Sequence, residues 1–111
     1  MDQKYIILDV ETTYNQETKK EEIIEIFALK IDSKFNSLSE FYERINPKTP
    51  LSFITKRVTG ITEVSLVNSP SFNDILEELT YFLENAPIIA HNASFDSKVL
   101  TEHFMRSNYI L

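Results

Sequence analysis

A chain of 111 residues, 42% hydrophobic and 25% charged, suits one globular domain with a real but modest core. It has no cysteine and one glycine, Gly60, which excludes a disulfide framework, a cysteine-ligated zinc and a glycine-rich phosphate cradle. A net charge of −6 argues against a broad basic face for nucleic acid, but not against an enzyme that grips a strand end through metal ions. No apolar run could span a bilayer and the N-terminus is not a signal peptide, so no membrane partner and a cytoplasmic location are expected.

Residues 6–10 are an apolar, β-branched run of the kind that makes a buried central strand. Two carboxylates interrupt its end. Strand alternation puts Asp9 and Glu11 on one face and Leu8 and Val10 on the other, with same-face neighbours roughly 6.5–7 Å apart. That spacing suits two acids converging on cations about 3.5–4 Å apart. Ionised groups resist leaving water, and a bound divalent cation offsets that resistance. The plainer alternative is that both acids cap a loop at a solvated strand end.

Residues 14–21 are polar and read as a turn. Residues 22–31 read two ways: Glu and Lys content with the Ile24, Phe27, Ile31 spacing suits a helix, while the paired isoleucines suit a buried strand. Strand is favoured, mainly through the resemblance given below. Residues 35–45 read as its partner, ended by Asn46-Pro47-Lys48-Thr49-Pro50. Residues 51–69 hold only short pieces.

The clearest helix is 71–85, where Phe72, Ile75, Leu76, Leu79, Phe82 and Leu83 keep helical spacing; Ser71 is its expected N-cap, with Asp74 three residues on. Pro87 marks the exit, and residues 88–90 read as a short buried strand. A second helix is expected from about Ser94 to Arg106, burying Phe95, Val99 and Phe104. No repeat, low-complexity tract or internal domain boundary is present. Asn108-Tyr109-Ile110-Leu111 reads as the approach to another strand.

His91-Asn92-Ala93-Ser94-Phe95-Asp96 carries a third acid into that second helix. An acid in a first helical turn complements the helix dipole, which is sufficient reason for Asp96. In open α/β sheets, however, sites form beyond the carboxyl ends of parallel strands. If the strands before Asp9 and before His91 are parallel neighbours, three carboxylates meet. Hard oxygen ligands select magnesium or manganese, and two such ions can orient a water for in-line attack on phosphate.

Asp9-Val10-Glu11-Thr12-Thr13, Thr59-Gly60-Ile61-Thr62 and His91-Asn92-Ala93-Ser94-Phe95-Asp96, in this order, resemble the first exonuclease motifs of the DEDD superfamily, and most of all the proofreading exonuclease domains of bacterial DNA polymerase III. The likeness covers nearly the whole chain. It implies an α/β, ribonuclease H-like mixed sheet with helices, spanning residues 1–111 as a single domain that lacks the family's final strand and helix. It also implies two Mg2+ or Mn2+ ions and 3′→5′ hydrolysis of terminal phosphodiester bonds.

By the same likeness Asp9, Glu11 and Asp96 are the catalytic acids and metal ligands. Thr12, through its backbone amide, along with Ile61, Asn92 and Phe95, would contact substrate, although a core role suits Phe95 equally and a structural turn role is the commoner case for Asn92 and His91. The implied partner is the 3′ end of single-stranded DNA, or RNA, together with a polymerase or other replication protein.

The family's third motif, a histidine with an aspartate five residues later, has no counterpart. His103 is followed at that distance by Asn108 and reads as an exposed helical residue. Tyr14 stands where the family usually has glycine. The expected outcome is weak or undetectable hydrolysis by this chain. Two alternatives remain: a non-catalytic module that binds strand ends or a replication partner, and a domain whose acids are only structural.

Overall fold

The structure, a computed structural model, describes residues 3–90 and 93–106, the side chains of 93–97 excepted. Four strands and four helices follow in the order β1 (Lys4–Asn15), β2 (Lys20–Asp32), β3 (Ser37–Arg44), α1 (Phe53–Thr59), α2 (Glu63–Leu66), α3 (Phe72–Leu83), β4 (Ile88–Ala90) and α4 (Ala93–Arg106). The strands form one mixed sheet in the order β3-β2-β1-β4, with β4 parallel to β1 and the other pairs antiparallel. This is the α/β mixed sheet that the family resemblance implies.

The polar stretch after β1 is a tight hairpin: the Asn15 carboxamide oxygen accepts from the Glu17 and Thr18 amides, and the Lys19 amide donates back to the Asn15 carbonyl at 2.8 Å. Residues 20–32 resolve to strand. Their helical spacing is overridden because both flanks are hydrogen-bonded in a ladder, to β1 and to β3.

One sheet face carries Ile6, Leu8, Val10, Ile26, Ala28 and Phe41, packed against Ile75, Leu76, Leu79 and Leu83 of α3 and Val99, Leu100 and Phe104 of α4. Ser71 and Asp74 cap α3 reciprocally, as the sequence predicts. Opposite Glu11 and Thr12 the β1–β2 register slips, leaving Ile24 as an extra residue. Ile23 therefore joins the main core, while Ile24 turns into a second, smaller cluster with Leu51, Ile61 and Leu66.

Two expectations are corrected. Residues 88–90 are half-buried rather than buried, with Ile89 46% exposed, because β4 is an edge strand paired on one side only among the described residues. His103 is 5% exposed, not a surface residue. Its Nε2 accepts from the Ile23 amide at 3.1 Å, and its Nδ1 lies 2.8 Å from the Val99 carbonyl. The ring must therefore be neutral with its proton on Nδ1, because Nε2 can accept only when bare. It supplies an acceptor for a backbone amide at the register slip. A polar side chain on a helix's inner face was unreadable from spacing alone.

Burial holds the His103 pKa below the usual histidine value, outweighing the opposing pull of the Val99 carbonyl. With the folded-state pKa below the unfolded value of about 6.5, the unfolded chain binds the proton first. Stability is then insensitive to this group above pH about 6.5 and falls as pH drops through 6.5 toward the folded pKa. We expect His103→Leu, which strands the buried Ile23 amide, to lose about 1–3 kcal/mol at neutral pH in urea unfolding. Its loss of stability between pH 7.5 and 5 should also be shallower than the parent's.

Candidate active site at the open edge of the first strand

β4 pairs with β1 only across Ile6–Ile88, Ile7–Ile89 and Leu8–Ala90. β1 continues to Asn15, so from Asp9 onward its β4-side edge has no strand beside it among the described residues. The acids stand where the pairing stops. Leu8 and Val10 are buried in the core, whereas Asp9 is exposed and Glu11 half-buried on the other face, as alternation predicts. The parallel pairing on which the three-acid reading depends is present. Ala90, the last residue of β4, is opposite Leu8, and the chain then enters α4, which carries Asp96.

The next two residues fasten a wall over this edge. The Thr13 side chain is fully buried, and its Oγ1 accepts from the Ser52 amide at 2.8 Å. The Thr12 carbonyl accepts from Thr55 Oγ1 at 2.9 Å. Ser52 is the N-cap of α1, so the Thr-Thr pair pins that helix to β1 by its first turn. A cleft of about 340 Å³ lies between them, with Glu11, Thr12 and Tyr14 on the strand side and Ile54, Thr55 and Val58 on the helix side. Ile54 and Val58 are 72% and 76% exposed, an apolar strip beside a carboxylate.

The Thr59-Gly60-Ile61-Thr62 motif shapes this wall. Gly60 caps α1 at φ 75°, donating to the Lys56 carbonyl at 3.0 Å; Thr59 Oγ1 accepts from the Ile61 amide; Thr62 caps α2. Ile61 itself is 2% exposed and packs in the small cluster with Ile24, Leu51 and Leu66. Its side chain therefore belongs to the core rather than to the cleft wall, because the left-handed turn at Gly60 directs the chain inward. Ile54 and Val58 hold the exposed apolar positions instead.

Asp9, Glu11 and Thr12 are thus brought together. Asp96 and Phe95 lie in the opening turns of α4, with side chains outside the described residues, and Asn92 and His91 lie outside them altogether. Among the described residues no three His, Cys, Asp or Glu side chains are grouped to hold a metal. The pair Asp9 and Glu11 nonetheless offers hard carboxylate oxygens on one face, the donor chemistry that suits magnesium or manganese.

Sequence reading marked Tyr14 only as a departure from the family's usual glycine and missed Glu21; the two face each other across the β1–β2 ladder and also line the cleft. Glu21 Oε2 is buried without a hydrogen-bond partner among the described residues, and burial raises its pKa above the usual carboxylate value. Nothing in a polar turn sequence marked it.

A β-carbon at position 60 would meet no atom within 4 Å, so only the positive φ calls for glycine there. Gly60→Ala should therefore lower stability by about 1–2 kcal/mol in thermal or urea unfolding, without a steric change at the cleft.

The family model described as Exonuclease (RNase_T) matches residues 6–110. The DNA polymerase III PolC-type of Thermotoga petrophila is 40% identical over 96 residues, covering 86% of this chain and 7% of that protein. That of Streptococcus pneumoniae is 37% identical over 110 residues, covering 95% and 7%. The chain therefore spans a small fraction of the curated relatives that it matches.

Among solved structures, the nuclease domain of 3′hExo, a DEDDh family member bound to rAMP, superposes with a TM-score of 0.78 at 19% identity, covering 97% of this chain and 61% of that one. Escherichia coli Exonuclease I in complex with a dT13 oligonucleotide superposes with a TM-score of 0.83 at 16% identity, covering 97% and 25%. At these identities the superpositions speak for the fold.

Proposed function

The chain belongs to the RNase_T exonuclease family, and from that premise we propose that it is a metal-dependent 3′→5′ exonuclease domain acting on the single-stranded 3′ end of DNA, or of RNA. The observation that carries this reading is the meeting of Asp9 and Glu11 with the end of a parallel β4 that feeds the helix bearing Asp96. Asp9, Glu11 and Asp96 would hold two Mg2+ or Mn2+ ions. Such ions, when bound, polarise water and steady the leaving oxygen of an in-line displacement.

The chain's own residues do the rest. The backbone amide of Thr12 and the carboxylate of Glu11 flank the terminal nucleotide. Ile54 and Val58 offer its base an apolar wall, and Asn92 and Phe95 are the further nucleotide contacts that the family likeness implies. Asp9, exposed just past the last β1–β4 pair, is open to a bound cation and to the phosphate.

Nothing here supplies a general base with the family's histidine–aspartate spacing. His103 cannot serve: it is buried, with both ring nitrogens engaged on the backbone. That observation favours a second reading, a strand-end-binding module with little turnover, docked on a polymerase or other cytoplasmic replication protein.

Two measurements separate the readings. With thymidine 5′-monophosphate p-nitrophenyl ester and Mn2+, the chain should hydrolyse about 10²–10⁴-fold more slowly than a relative that carries the histidine, which is the contribution of one general base. Asp9→Ala should remove what remains; equal rates in the parent and Asp9→Ala would defeat the enzymatic reading. In thermal unfolding, Mn2+ at ten times its Kd should add about 1.4 kcal/mol to the parent. It should add nothing to the Asp9→Ala, Glu11→Ala double variant. A melting temperature indifferent to Mn2+ would leave the acids merely structural.

A further inference from the structure

A second groove, of about 780 Å³, runs between the β1–β2 hairpin and the outer face of α4. It shares Tyr14 and Glu21 with the cleft that holds Glu11 and Thr12, so the two meet at this cross-strand pair. Its lining combines Tyr14, Lys19, Lys20, Lys98 and Met105 with Glu21 and Glu102. Three lysines against two glutamates leave a net of one positive charge along this groove, in a chain of net charge −6. Among the described residues, Lys20 pairs with Glu102 across the groove at 3.6 Å, while Lys19 and Lys98 enter no ion pair.

Resting on the reading of the cleft as a nuclease site, we propose that this groove is the track for the single strand behind its 3′-terminal nucleotide. Tyr14 stacks a base at the junction, and Lys19 and Lys98 contact the phosphates that follow. Proteins that hold single strands without reading sequence combine a positive groove with aromatic stacking platforms, and both are here.

Tyr14, 39% exposed, stands three residues beyond Glu11, roughly 10 Å further along the strand. The hairpin that presents Lys19 is fixed by the Asn15 side chain, which accepts from two amides in the turn. Lysines from the hairpin and from α4 flank the same channel. A strand laid there meets a cation on either side, and Glu21, which lines both groove and cleft, has one carboxylate oxygen buried rather than facing the channel. An acidic domain can thus bind an acidic polymer along one narrow line.

The test is fluorescence anisotropy with labelled oligothymidylates across a range of salt, with calcium replacing manganese so that turnover does not intervene. Thymidine monophosphate binding, read by competition, reports the cleft alone. We expect a long oligothymidylate to bind more tightly than a dinucleotide. The Lys19→Gln, Lys98→Gln double variant should flatten the log-affinity against log-salt slope by about 1.4, at about 0.7 per lost phosphate contact, and leave thymidine monophosphate binding unchanged. Tyr14→Ala should weaken the long strand about tenfold.

An unchanged slope in the double variant overturns the proposal and leaves the groove to a protein partner. Equal affinity of the parent for short and long strands overturns it too, with the cleft reading intact. Absence of thymidine monophosphate binding overturns both.

Discussion

Three backbone pairings, Ile6 to Leu8 of β1 against Ile88 to Ala90 of β4, decide where the candidate acids stand in this chain. Because they are parallel, both strands point their carboxyl ends the same way and the helix after β4 starts beside the end of the pairing. Because there are only three among the described residues, β1 runs on from Asp9 with no strand beside its β4-side edge among them. Asp9 is the first residue past the last pair. The acids therefore avoid burial without leaving the sheet, which explains how two carboxylates can follow directly from one of the most apolar runs in the sequence.

The opposite edge of β1 is equally constrained. The slip opposite Glu11 and Thr12 divides the apolar residues of β2 between two cores. The larger lies under α3 and α4 and fixes the sheet. The smaller lies under α1 and α2 and supports the wall of the cleft. His103 bridges the consequence, offering its ring to the Ile23 amide at that slip. A residue that spacing assigned to the surface thus holds the sheet where its regularity fails.

Much of this was legible in the residues. The alternation that separates Asp9 and Glu11 from Leu8 and Val10, the capped helix at Ser71, and the motif order that marks the family each rest on local pattern. Local pattern is where it also ran out. The register slip at Ile24 is set by what both faces must bury, not by any turn residue, so Ile61 could not be recognised as core. Tyr14 and Glu21 sit in a polar stretch of the sequence; only pairing across β1 and β2 brings both to the cleft. The burial of His103 depends on a partner eighty residues away.

Among the described residues the buried apolar footing of the lobe that carries α1 and α2 is the small cluster of Ile24, Leu51, Ile61 and Leu66, supplemented by the two threonine hydrogen bonds to β1. A lobe so lightly rooted can lift from the sheet at far less expense than unfolding the whole domain. The wall of the candidate cleft is consequently lightly anchored, and its local opening would bare the Glu11 edge of β1 to solvent while the main core stays shut.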